Sequence, residues 1–450
     1  MNNGRGTRLN PQISLRRYWL LLMTALAILM VGLLVGPRVP DKHQAALCVV
    51  NVHIRGPFGI ALNCDSPEFM RLARQPSALL EPQNTRQSRP GLIFSAAALA
   101  LPFSPLSDLA QKAGVRANRA DIESSRIENA LAKDFPGYAA YISLNVVILL
   151  LSFYVFQLIF WRPASDAITT VILVSICFLL AANDVAKAFI WSPHTQMFNI
   201  FLPVFAVWAS IRASNGALLD RRFALVTGII TGLGATAYPL FVIVVPCVFI
   251  GGVVAMFHHW SPATLSIFGL NVVMLAALTM LPEGLWYFFV RSQIGSFYQH
   301  EMARGQVVWI ATAWEHGLRF LLATWLQNFA SLLRLAAAQA APLAALLVLI
   351  AASAMLTWST VSRDLRRQLP ILLCGVLVSL VIGAFYSSTG LIVWRLAYAL
   401  LPPLIIAAAA AVLGITASLA AGQRKMVACA CVAITLLHSI FVIWKNNPVS

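Results

Sequence analysis

Uncharged apolar blocks of about 17–25 residues recur along the chain, each long enough to cross roughly 30 Å of hydrocarbon at 1.5 Å per helical residue. They fall at about 18–36, 138–160, 166–182, 197–211, 223–238, 240–257, 263–282, 340–358, 369–386, 397–419 and 426–444. Two further apolar stretches, about 91–106 and 318–335, leave the count open, and the basic residues decide how they are treated. If neither crosses, Arg16, Arg17, Arg162, Arg212, Arg221, Arg222, Arg363, Arg366, Arg367, Arg424 and Lys425 share one face of the membrane. The short segments on the other face then hold only Lys187, Arg395 and Lys445. Crossing by 91–106 alone would invert every later loop and break the excess of Lys and Arg on the cytoplasmic side. The pattern therefore predicts an all-α, polytopic membrane protein: one transmembrane domain over 1–450, with eleven spans. The N-terminus is cytoplasmic, the C-terminus external, and the two remaining stretches are juxtamembrane or re-entrant helices. The first block is followed by Gly36-Pro37-Arg38 rather than a small-residue cleavage pattern, so it reads as an uncleaved span.

This topology leaves two large external segments, 37–137 and 283–337. In the first, DSPEFMRLARQ predicts a short amphipathic helix that Asp65 or Ser66 caps and Pro67 starts. A second amphipathic helix is predicted over 121–135, where Ile122, Ile127, Leu131 and Phe135 recur at near-helical spacing.

Composition narrows the classes. Only 11% of residues are charged and 59% are apolar, against roughly 25% charged in a soluble domain. The net charge of +16 sits at span ends, where it meets lipid phosphates. No basic stripe with stacking aromatics lies outside the membrane, so membrane lipids are expected partners and nucleic acid is not. Of seven cysteines, only Cys48 and Cys64 lie outside the apolar blocks; they form a disulfide or stay as two thiols, and sequence leaves both open. No Cys/His spacing supports zinc, and no metal or organic cofactor is expected.

The candidate chemistry sits in the external segments. The first has few acids before Asp65 and then offers Asp65, Glu68 and Glu81, with Asp65 either a helix cap or a general base close to the bilayer. In the second, Arg291 and Arg304 lie among Trp and Tyr residues, as interface anchors or as phosphate ligands. A short loop carries Asp184, Lys187 and His194, and Arg395 stands at the external mouth of a span. The run GIITGLG (Gly228, Gly232, Gly234) reads as tight helix packing.

Taken in order, several of these patterns resemble the GT-C class of membrane glycosyltransferases, which use polyprenyl-phosphate sugars. The likeness is carried by Asp65 opening DSPEFMRLARQ, by RPGLIF entering a juxtamembrane helix from Arg89, by the basic turn before the glycine-rich DRRFALVTGIITGLGATAYP, and by Arg395 ahead of LPPL. The class often has two prolines where this chain has Pro90-Gly91. The resemblance implies glycosyl transfer from a polyprenyl-phosphate sugar to a lipid, glycan or protein acceptor on the external face of a cell's inner (plasma) membrane. Asp65 would be the catalytic base, and Arg89, Arg291, Arg304, Arg395, Glu68 and His194 would bind substrate. Two other readings stay open: a transporter or flippase without covalent chemistry, and a ligase or polymerase of lipid-linked glycans. Sugar, acceptor and oligomeric state are not legible.

Overall fold

The computed structural model describes residues 11–44, 48–107, 116–117, 122–160, 166–258, 261–298, 305–355 and 361–446. Its helices are α1 Pro11–Val35, α2 Ser66–Arg74, α3 Pro90–Ala100, α4 Ile122–Phe160, α5 Ala167–Phe178 and α6 Phe198–Ser214. They continue with α7 Arg221–Ala237, α8 Val244–His258, α9 Pro262–Ile294, α10 Val308–Glu315, α11 Leu318–Ala337 and α12 Ala341–Met355. The last three are α13 Val361–Thr389, α14 Leu401–Thr416 and α15 Ala421–Trp444. Among the described residues, eight helices are long and apolar enough to cross a membrane, and four shorter ones are apolar. The protein is a helical, polytopic membrane protein.

Packing follows side-chain size. The alanine-rich α14 is almost entirely buried at the bundle centre, against α13, α12 and α6. α7 and α9 pack through the glycine run: a Cβ on Gly232 would lie 2.3 Å from the Leu278 carbonyl oxygen. Lipid-facing surfaces keep large apolar side chains exposed, such as Leu20 and Ile28 on α1 and Leu437 on α15.

The first loop departs from an all-α reading. Val49–Arg55 (β1) and Phe58–Asn63 (β2) form an antiparallel hairpin, and Arg116–Ala117 (β3) pairs with β1 to give the order β2-β1-β3. Alternating VVNVHIR, a turn at Gly56-Pro57 and FGIALN is the strand signal that the search for helices passes over. Val50, Val52, Ile60 and Leu62 cover a small core with Met70, Ile127 and Leu131. The predicted 121–135 helix and the 138–160 span are one element, kinked at Asp134 ahead of Pro136.

α3 starts at the end of the bundle where Gly91 meets Thr236, at the last turn of α7. Its 11 residues continue into a 3-10 helix over Leu101–Leu106, and the chain then returns to β1 through β3. The Pro90-Gly91 step has a steric reason: a Cβ on Gly91 would sit 2.2 Å from Thr236 Oγ1.

Cys48 and Cys64 are joined by a disulfide that closes the hairpin immediately before Asp65. Unreduced, denatured protein should titrate five thiols, matching Cys177, Cys247, Cys374, Cys429 and Cys431; seven would refute the bridge. Cys48→Ser should cost about 2–4 kcal/mol of stability, read as a lower thermal midpoint.

Candidate functional site

Asp65 stands at the junction of hairpin and helix. Its N–H donates to Asn63 Oδ1 (2.7 Å), and its carbonyl accepts from Phe69 N–H (3.2 Å). Its side chain makes no capping bond to α2. Instead it faces a cavity: Arg86 Nη2 lies 2.7 Å from Oδ1, and His194 Nε2 lies 3.7 Å from Oδ2. The Asp65 side chain is 39% exposed, while those of Arg86 and His194 are only 5% and 4% exposed.

Each partner is held by its own shell. The Arg86 guanidinium stacks 4.6 Å over the ring of fully buried Phe69. The turn around it is laced by Asn84 Nδ2 to Ala78 O (3.0 Å), Gln87 Nε2 to Glu81 O (2.9 Å) and Arg86 N–H to Asn84 Oδ1 (2.8 Å). His194 packs between Phe69 and Phe189. Its loop is fixed by Asn145, which donates to the carbonyls of Phe189 and Ser192, and by Tyr138, which donates to Trp191 O. Ser66 and Ser192 share a hydroxyl hydrogen bond of 3.1 Å across the same seam.

The cavity has a volume of about 280 Å³, and Arg89, Arg395, Gln196, Gln306, Tyr238 and Tyr386 also line it. Arg89 donates to Thr195 Oγ1 (3.3 Å). Buried Asn199 organises the deep wall: its Oδ1 accepts from Tyr238 (2.7 Å) and Tyr386 (3.1 Å), and its Nδ2 donates to Gln196 Oε1 and Arg395 O. Leu240, Phe385, Leu391 and Leu396 supply an apolar side. Among the described lining residues are three arginines and one carboxylate, at a partly desolvated site where Coulomb interactions exceed those in water.

Burial works to raise the Asp65 carboxyl, but the His194 contact and the Arg86 charge outweigh it and hold the group well below the usual carboxylate range. Burial pushes His194 down to about 4, with Asp65 opposing and Arg395 and Arg86 adding to the fall. His194 is thus neutral when folded and takes up a proton in the unfolded chain near pH 6.5. Its contribution to stability is complete above that pH and is lost as pH falls toward 4. The thermal midpoint should drop through this window, and His194→Gln should flatten the slope; an unchanged slope would refute a buried neutral imidazole.

Of the residues singled out from sequence, Asp65, Arg89, His194 and Arg395 meet in the cavity. Glu68 does not line it: it accepts from Arg71 (2.9 and 3.0 Å) and Asn84 (3.2 Å), and Arg71 also pairs with Glu81. Arg291 is exposed on the last turn of α9, donating to Tyr287 OH (2.8 Å), and is not part of the lining either. Arg304 lies outside the described residues. Sequence reasoning missed Arg86, three residues before Arg89 in the same turn, and the Asn199–Tyr238–Tyr386 cluster, although Tyr238 ends the glycine-rich span it had marked. Among the described residues, no group of three or more His, Cys, Asp or Glu side chains converges as a metal-ligand set.

The fold and site together define a helical membrane protein with an arginine- and carboxylate-lined cavity at one end of its bundle. Comparisons with protein-family models, characterised proteins and solved structures find no match.

Proposed function

We propose that this protein is a membrane glycosyltransferase that moves a sugar from a polyprenyl-phosphate donor to an acceptor hydroxyl at the external face of a cell's inner membrane. The observation that carries the reading is the Asp65 carboxylate, the one carboxylate among the described lining residues, set beside Arg86, Arg89 and Arg395 in one cavity with an apolar wall. Arginine forks suit a lipid phosphate, the apolar side suits its prenyl chain, and the carboxylate suits the acceptor proton.

In the reaction, the acceptor oxygen attacks the anomeric carbon and its proton passes to Asp65. The bond from that carbon to the phosphate oxygen breaks, and its electron pair leaves on the polyprenyl phosphate. Arginines stabilise the charge growing on the leaving group, with about 3–4 kcal/mol from each preorganised donor. Arg86 has two anions to serve. As donor phosphate draws it away, the Asp65 carboxylate loses its partner and becomes a better base.

Eleven crossings fit this reading. α1, α4–α9 and α12–α15 run alternately between the cavity end and an opposite end that carries Arg221, Arg222, Arg366, Arg367, Arg424 and Lys425, the cytoplasmic side by charge. α11, although long enough to cross, is read here as an interfacial helix. Trp325, eight residues into it, donates to Ser388 Oγ (3.1 Å), and Gln339, just past its end, donates to Trp394 O (2.9 Å), contacts that support a course along the interface. A single cysteine at exposed Ser125, in a protein keeping only the Cys48–Cys64 pair, should react with an impermeant maleimide in intact spheroplasts. Labelling only after lysis would put the loop on the wrong side.

A conducting path is less well supported. Asn145 and Asn271, two polar groups deep in the helices, donate to backbone carbonyls, Asn271 to Leu218 O (2.8 Å). Purified protein in liposomes should release polyprenyl phosphate from labelled polyprenyl-phosphate hexose or pentose only with acceptor present. Flipping of the intact donor without release would replace the transferase reading by the transporter one.

A further inference from the structure

A second hollow adjoins the first. It has a volume of about 220 Å³ and is lined by Gly305, Gln306, Trp309, Thr324, Asn328, Thr389, Gly390 and Leu391. Gln306, Thr389 and Leu391 also line the charged cavity, so the two compartments share one ridge. Their chemistries differ. Arg86, Arg89, Arg395 and Asp65 line the first, and the described lining of the second has no charged side chain.

The second compartment is built rather than accidental. Val307 N–H donates to Thr389 O (3.0 Å), fastening the segment ahead of α10 to the end of α13. Trp309 Nε1 donates to Ser388 O (3.1 Å), and its ring lies against Gly390, where a Cβ would come within 2.5 Å. Gly390 has φ +73°, so both backbone and space call for glycine there. Asn328 Nδ2 donates to Ser387 O (3.2 Å), which orients the amide and leaves its carbonyl oxygen as an acceptor. Among the described residues, the side chains of Gln306 and Thr324 make no hydrogen bond within the protein.

Thr389 Oγ1 already donates to Tyr386 O and accepts from Leu391 N–H; the other described groups, an indole, two amides and the Thr324 hydroxyl, offer no counter-ion to phosphates, carboxylates or amines, which would be desolvated without one. They match an uncharged polyol, whose hydroxyls both donate and accept while its C–H face lies on an aromatic ring. The volume falls below the roughly 300–1,000 Å³ of drug-sized sites and suits one sugar ring. We infer that this hollow seats a neutral monosaccharide unit, the terminal residue of an uncharged glycan or glycoside, and presents its hydroxyl across the shared ridge toward Asp65. That it is the acceptor rests on the glycosyl-transfer reading; that it binds neutral sugar does not.

The test reads binding without donor. Full-length protein in detergent is titrated with methyl α-D-mannopyranoside, methyl β-D-galactopyranoside and methyl β-D-glucopyranoside, followed by saturation-transfer NMR. At least one should bind saturably. Asn328→Leu and, separately, Thr324→Val should weaken it about tenfold, as expected when a polar ligand group loses its partner. Arg334→Gln, on the exposed face of the same helix, should leave binding unchanged and so show that α11 remains folded. Binding that maps here without any glycosyl transfer would keep the sugar site and remove the transferase. Transfer to a peptide or lipid alcohol with no glycoside binding, or glycoside binding equal in all variants, would overturn the inference.

Discussion

Asp65→Asn should lower the transfer rate by roughly 10²–10⁴, the range for loss of a positioned general base, while the protein stays folded and still binds donor. The amide keeps the size of the carboxylate and an oxygen for Arg86, which approaches to 2.7 Å. Only the negative charge and the capacity to take the proton are removed. The loss should therefore appear in kcat with little change in the donor KM. Asp65→Glu, which keeps the charge but displaces it, should fall between the two. The pH dependence gives a separate check. Because Asp65 is held well below the usual carboxylate range in the free protein, it should contribute no acid limb to kcat/KM above pH 4. In kcat, which reports the complex, its limb should lie higher, since phosphate competes for Arg86. Full activity in Asp65→Asn would remove Asp65 from the chemistry.

Arg86→Gln should reduce kcat/KM by about 10²–10³, the usual consequence of deleting one preorganised donor to a developing anion. Unlike Asp65→Asn, it should raise the donor KM as well, because the same guanidinium meets the ground-state phosphate. Arg86→Lys should restore only part of the loss, since an ammonium keeps the charge without the planar fork or the stacking on Phe69. Arg86→Ala offers a cleaner variant: added guanidinium should recover activity in a saturable manner. A variant with unchanged kcat and donor KM would show that Arg86 serves only to pair Asp65. The thermal midpoint alone would then fall, because the carboxylate loses the partner that holds it ionised.

Much of the architecture was legible before any coordinates. Run length identified the apolar helices, because a helix must supply its own backbone hydrogen bonds in lipid and so needs an uninterrupted apolar segment. The placement of Arg221, Arg222, Arg366, Arg367, Arg424 and Lys425 at one set of helix ends followed from the same reading. So did the nomination of Asp65, Arg89, His194 and Arg395, polar groups at span mouths in a chain where such groups are scarce.

What sequence alone determined about this protein is one-dimensional: where the chain is apolar for long enough, where charge interrupts it, and which few polar residues stand at the mouths. The tertiary structure alone decided which of those groups meet. Asp65 and Glu68 lie three residues apart, yet one faces the cavity and the other is consumed by Arg71 and Asn84. Arg86 outranks Arg291 because a turn laced by side-chain amides brings it over Phe69, whereas Arg291 ends a helix in the open. The β3 pairing was equally out of reach, and the choice between a disulfide and two thiols at Cys48 and Cys64, open in the sequence, was made by the fold. The physical reason is common to all of them. Hydropathy is local and additive along the chain, whereas a site assembled from positions 65, 86, 194, 238, 386 and 395 depends on hydrogen bonds and close contacts between segments that no local pattern encodes.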